Sequence, residues 1–119
     1  AMIRGLMHPK DPASRIENRV AETTANPYFF FASQILSGLD GLNSRLLAPE
    51  PVETPYQTEA QKLPDNLLSA INLFDLSSFY RNALGDSFVD YLTTIKRAEW
   101  DRYHQAVSEW EQNEYFGLF

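Results

Sequence analysis

The chain has no cysteine, which excludes a disulfide framework and any thiolate metal site and leaves a reducing, cytoplasmic setting as the expectation. It also lacks a clustered basic stretch: 10 Lys and Arg stand against 16 Asp and Glu, for a formal net charge of -6. The counterion-release term that drives nucleic-acid binding is therefore missing, and no nucleic-acid partner is expected. Apolar runs are short. The longest, residues 28–32, falls far below the roughly 20 apolar residues that a bilayer-spanning helix needs, so no membrane partner is expected either. There is no Gly-rich phosphate loop, no nucleophile elbow, no paired-histidine metal motif, no internal repeat and no low-complexity tract. Those absences set aside the P-loop, serine-hydrolase and zinc-protease chemistries.

What is present suits one small domain with a modest core: 119 residues, 44% hydrophobic and 13% aromatic. The first residues, Ala1-Met2-Ile3-Arg4-Gly5-Leu6, begin at once in a strand-like run, without an initiating methionine or a polar lead-in. The expectation is a piece of something longer.

The pattern along the chain predicts a mostly α protein with a short N-terminal β-hairpin, an α+β arrangement. Residues 1–22 hold two short runs around the turn chemistry of Pro9 and Pro12, which reads as the hairpin. From Asn26 the period becomes helical. Asn26 suits an N-cap and Pro27 the first turn, and Tyr28, Phe31, Ile35, Leu39 and Leu42 recur at three- and four-residue spacing. Residues 26–47 are therefore expected as a buried helix, with Gly38 and Gly41 marking close backbone approach. Residues 48–64, with Pro49, Pro51, Pro55 and Pro64, read as an extended loop. Residues 65–119 read as a helical tail: two short helices, the second stopped by Gly85, and one long helix from Asp86 towards Glu114. His8 is expected as a turn residue and His104 as a solvated or half-buried helical one; Trp100 and Trp110 suit core or interface.

The run Arg15-Ile16-Glu17-Asn18-Arg19 is the most unusual feature. Alternation along a strand puts Arg15, Glu17 and Arg19 on one face. Two guanidiniums around a carboxylate could hold an anionic substrate and a divalent metal together, because the planar Arg fork matches phosphate and carboxylate oxygens and Glu offers hard oxygen to magnesium or manganese. The same spacing also fits a solvated charge ladder, and with it a helical interaction module without catalysis.

These residues resemble a known family. Arg15-Ile16-Glu17-Asn18-Arg19, Ala25-Asn26-Pro27-Tyr28, Ala32 and Ser37-Gly38-Leu39-Asp40-Gly41 are similar to the R-x-E-x-R, A-N-P-Y and A-G-L-x-G blocks of glutamine synthetases, in family order and spacing. The likeness is strong over residues 1–45 and looser beyond, through Asp86-Ser87-Phe88-Val89-Asp90-Tyr91 and Trp110-Glu111-Gln112-Asn113-Glu114-Tyr115-Phe116. It implies the C-terminal part of a catalytic domain whose ATP and Mg2+ (or Mn2+) serve the joining of glutamate to ammonia through γ-glutamyl phosphate, with a relative that uses another amine as the alternative. By that resemblance Arg15 contacts the transferred phosphoryl group, Glu17 binds metal, Arg19 holds the glutamate carboxylate and Arg4 lies near the nucleotide phosphates. Family members supply further carboxylates and arginines upstream and build their sites between subunits of ring-shaped oligomers. The 119 residues alone are thus expected to be inactive, and to require the upstream part of their own chain. One departure is visible: Gly5-Leu6 follows Ile3-Arg4 where the family carries an apolar residue and a proline.

Overall fold

Two short runs, each with one isoleucine and charged neighbours, flank the connection of residues 7–14 and produce the first element pair. The computed structural model describes residues 2–54, 56–57 and 59–118. Strand β1, Ile3–Leu6, pairs antiparallel with β2, Arg15–Asn18, in the register Ile3 to Asn18, Arg4 to Glu17, Gly5 to Ile16 and Leu6 to Arg15. The second of the two runs expected within residues 1–22 thus has four ladder residues, although the Arg19 N–H still donates to the Met2 carbonyl at 2.9 Å. The turn between the strands is closed by side chains. Ser14 Oγ accepts from the His8 N–H at 3.1 Å and donates to the His8 carbonyl at 2.9 Å, while Asp11 Oδ1 accepts from the Ala13 N–H at 2.8 Å. His8 is the turn residue that its position predicted.

A second side-chain turn leads into the first helix. Both the N–H and the hydroxyl of Thr24 donate to Glu22 Oε2, so the Glu22 carboxyl is held below the usual range, first by the Thr24 hydroxyl and then by its N–H. Helix α1, Pro27–Asn43, begins where the sequence predicts: Asn26 is extended and its Oδ1 accepts from the Tyr28 N–H at 2.9 Å. The helix ends in a reversal in which Arg45, at φ 51°, adopts a left-handed backbone. The N–H of Leu46 reaches back to the Gly41 carbonyl at 2.9 Å and that of Arg45 to Leu42 at 3.1 Å, the paired pattern that satisfies the last carbonyls of a helix.

Burial on α1 departs from the pattern-based expectation. None of its residues is buried in this chain; Tyr28 is 81% exposed and Leu42 76%. A three-four stripe records that a face suits an apolar neighbour, and the neighbour is not supplied by the described residues. The glycines differ likewise. A Cβ added at Gly38 or Gly41 would meet nothing within 4 Å, so neither marks close approach here.

The second group of helices makes the core. Helix α2, Leu67–Asp75, is capped by Asn66, whose Oδ1 accepts from the Ser69 N–H at 2.8 Å. Helix α3, Ser78–Leu84, is capped by Ser77 and stops at Gly85, at φ 85°. Helix α4, Asp86–Gln105, packs against both α2 and α3. Among the described residues Ile71 from α2 and Val89 from α4 are the buried apolar ones, with Val89 at 0% exposure. Each contributes about 1.5–3 kcal/mol by leaving water. Thr93 is buried beside them, and its hydroxyl donates to the Val89 carbonyl at 2.9 Å, which removes the cost of an unpaired polar group. Phe74 and Tyr80 close the α2–α3 corner with ring centroids 5.1 Å apart.

The expected long helix from Asp86 to Glu114 is two helices. Ala106 is extended, and α5, Glu109–Tyr115, starts afresh from a capping box in which Ser108 and Glu111 satisfy each other's backbone N–H groups. Two orphan donors gained at Ser108 compete with continuation of α4. By contact the chain divides into Ala1–Ala60 and Gln61–Phe119. No helix among the described residues is long and apolar enough to cross a membrane.

Candidate functional site

The hairpin register assembles the site. Residues directly opposed in an antiparallel ladder share a face, so the pairing of Arg4 with Glu17 and of Leu6 with Arg15 brings two arginines and one glutamate to the same side. Arg15 Nη2 donates to Glu17 Oε1 at 2.9 Å, and Arg4 Nη1 lies 3.8 Å from Glu17 Oε2. Each carboxylate oxygen therefore faces its own guanidinium. Arg15 Nη1 also donates to the Ala13 carbonyl at 3.1 Å, which fixes the fork along the strand. The other face of β2 is tied to α1 through Asn18 Nδ2, which donates to Gln34 Oε1 at 2.7 Å.

Sequence reasoning proposed Arg4, Arg15, Glu17 and Arg19. The structure brings the first three together. Arg19 lies past the end of β2, held there by its backbone bond to Met2; the ion pairs around Glu17 run to Arg4 and Arg15. Gly5, beside Arg4, is not required sterically, since a Cβ there would stand 3.6 Å from Met7 Cγ, an ordinary contact.

The cluster is half open to solvent, with the Arg4 and Arg15 side chains 56% exposed and that of Glu17 30%. Exposed pairs of this kind contribute little to stability, so the arrangement costs the fold little and leaves the guanidiniums able to exchange partners. Arg carries five N–H donors, and Arg15 uses its two Nη atoms here, with donors remaining for an anion. Among the described residues no group of three or more His, Asp or Glu side chains could hold a metal ion. Glu17 offers one hard carboxylate, which fits a single ligand position of magnesium or manganese, ions that take one or two protein carboxylates and otherwise water and phosphate. The hairpin thus presents one such carboxylate and not a complete set of ligands.

Sequence reasoning missed a second charged cluster. Arg81 of α3 donates through Nε to the Asp75 carbonyl at 2.6 Å and through Nη2 to Asp75 Oδ1 at 2.5 Å, and its Nη1 meets Asp86 at 2.9 Å and Asp90 at 3.0 Å. Arg97 of α4 completes it at 3.1 Å from Asp75 Oδ2. Arg97 first and Arg81 second hold the Asp75 carboxyl below its usual range. The separation of Asp75 from Arg97 in sequence left no local signal for this pairing; it arises because α2 lies against α4. Sequence reasoning also missed the S-x-x-E capping box of Ser108 and Glu111, the local signal that divides α4 from α5.

The glutamine synthetase catalytic-domain family matches residues 1–115. The chain is 39% identical over 130 aligned positions to a γ-glutamylanilide synthase of an Acinetobacter species, covering 99% of this chain and 26% of that protein. It is 37% identical over 112 positions to a glutamine synthetase of Methanocaldococcus jannaschii, covering 87% of this chain and 25% of that protein. A glutamine synthetase of Staphylococcus epidermidis is 35% identical over 112 positions, with 87% of this chain and 25% of that protein covered. The chain thus spans about a quarter of the length of these curated relatives. Matched over nearly its whole length, with Arg15 and Glu17 of the R-x-E-x-R run ion-paired on one hairpin face, the chain belongs to the glutamine synthetase catalytic-domain family.

Proposed function

We propose that the chain is part of an ATP-dependent ligase that joins glutamate to ammonia, and that it acts together with a further, upstream part of the same protein in a homo-oligomer. The observation that supports this best is the Arg4–Glu17–Arg15 cluster on one hairpin face. Phosphoryl transfer needs positive charge held in place around equatorial and bridging oxygens, with little covalent chemistry from the protein.

In the reaction an oxygen of the glutamate γ-carboxylate bonds to the γ-phosphorus of ATP while the bond to the β-γ bridging oxygen breaks and ADP leaves. Ammonia then adds to the acyl carbon of γ-glutamyl phosphate, phosphate departs, and the nitrogen loses a proton to give the amide. Arg15 turns its remaining donors to the transferred phosphoryl oxygens, Arg4 meets the nucleotide phosphates, and Arg19 holds the glutamate carboxylate. Glu17 is the residue of this chain that would hold a magnesium or manganese ion, which when bound supplies further neutralisation of phosphate charge. A single carboxylate does not complete that site, so the 119 residues are inactive alone.

A second reading, an amine in place of ammonia, is favoured by the likeness to a γ-glutamylanilide synthase. The two are separated by a ligase assay with ATP, magnesium and glutamate, run against ammonia and against aniline and polyamines, on this chain and on the longer protein that contains it. Activity is expected in the longer protein only. In that protein Glu17→Gln or Arg19→Ala is expected to lower turnover by about a hundredfold or more; near-normal rates would sink the site assignment.

A further inference from the structure

Where α4 gives way to α5 the chain forms a cleft of about 440 Å3, lined by Tyr103, His104, Ala106, Ser108, Trp110 and Glu111. Its walls are aromatic and built in place. The His104 ring lies on that of Trp100 with centroids 3.9 Å apart, and its Nδ1 is 2.9 Å from the Trp100 carbonyl. A carbonyl only accepts, so Nδ1 carries the proton and the imidazole is anchored. Tyr103 stands edge-on to His104 at 5.3 Å, and Trp110 edge-on to Tyr115 at 6.1 Å.

One carboxylate faces these rings. Glu111 Oε2 accepts from the Ser108 N–H at 2.7 Å and from its hydroxyl at 2.8 Å. Both bonds fall on one oxygen, which leaves Oε1 to meet a cation. The Ser108 N–H first, and then its hydroxyl, keep the Glu111 carboxyl below the usual range, with a smaller contribution from His104. The surroundings are acidic: residues 101–114 carry Asp101, Glu109, Glu111 and Glu114 against Arg102.

We propose that this cleft docks an arginine side chain presented by a partner polypeptide, its guanidinium stacked on Tyr103 or Trp110 and donating to Glu111 Oε1. Tyr103 is 74% exposed and Trp110 64%, too open to enclose most of a free small molecule as such sites do. A side chain carried on a polypeptide gains the rest of its contact from its neighbours. Arginine fits better than lysine because its planar, weakly hydrated head stacks on aromatic faces and pairs with a carboxylate along a fixed fork. The negative field of the four carboxylates both attracts such a partner and discourages acidic ones.

Trp100 and Trp110 are the chain's two tryptophans; Trp110 lines the cleft and Trp100 packs on His104 of its wall, so their emission reports on it. The chain is titrated with acetyl-Gly-Arg-Gly-amide and with the same peptide carrying neutral citrulline. A saturable emission change is expected with the arginine peptide, weakened about tenfold by citrulline and by Glu111→Gln. Glutamine retains the capping-box geometry, and circular dichroism checks that α5 is kept; if it is lost, the citrulline comparison on the unaltered chain decides. Equal affinity for both peptides, no saturable change, or an unaltered affinity in a folded Glu111→Gln variant would overturn the proposal. Emission that follows protein concentration and not peptide would identify a second copy as the occupant and overturn it equally.

Discussion

At Arg45 and Gly85 the backbone is left-handed, and the two residues answer that demand differently. Arg45 sits at φ 51° in the reversal that ends α1, a position where glycine has no Cβ to crowd the carbonyl. Arg45→Gly is therefore expected to raise stability by up to about 1 kcal/mol, read as a higher urea midpoint. Gly85 at φ 85° and ψ 148° joins α3 to α4 in a region that side chains rarely adopt. A Cβ there would meet nothing within 4 Å, so the cost of Gly85→Ala is one of backbone conformation alone, about 1–3 kcal/mol. Equal midpoints for the parent and both variants would refute this account. Of the two, only Gly85 was legible in the sequence, as a helix stop. Arg45 looked like any polar residue after a helix, because a left-handed arginine leaves no mark in composition.

At the scale of elements, the helices of the second unit are joined by charge as well as by Ile71 and Val89. Asp75 closes α2 and receives Arg81 from α3 and Arg97 from α4. Its carboxyl is held below the usual range, chiefly by Arg97 and then Arg81. A lowered folded-state pKa means that the unfolded chain takes up the proton first as pH falls. The stabilisation is fully present above the ordinary Asp pKa of about 4 and is lost as pH drops through the lower folded-state value. Denaturation profiles at neutral and acid pH should therefore converge for the parent and Asp75→Asn at low pH, and separate at neutral pH with the variant weaker. A constant gap across that range would count against the cluster. Glu22 and Glu111 shift in the same direction and add to acid sensitivity in the parent and the variant alike. Apolar period and the Gly85 stop placed α2 and α3 closely, while the break before α5 was missed because a continuous apolar stripe masked the capping box at Ser108.

For the whole molecule, the uneven burial decides behaviour. Among the described residues Ile71, Val89 and Thr93 are buried, and all three belong to Gln61–Phe119. The apolar stripe of α1 and the unpaired edges of a two-stranded sheet remain open. Surfaces of this kind associate, so light scattering on the chain at high concentration is expected to give a mass above that of one copy; a clean monomer would contradict this. The sequence by itself determined the hairpin, the caps at Asn26, the helical stripe of α1 and the pattern that marks the family, because period, turn chemistry and motif spacing are local. Tertiary structure alone decided that Arg4 stands across from Glu17, that Asp75 gathers Arg81 and Arg97, and that the α1 stripe finds no neighbour here. Those outcomes depend on register and on which helix meets which, and neither is written in any short stretch of residues.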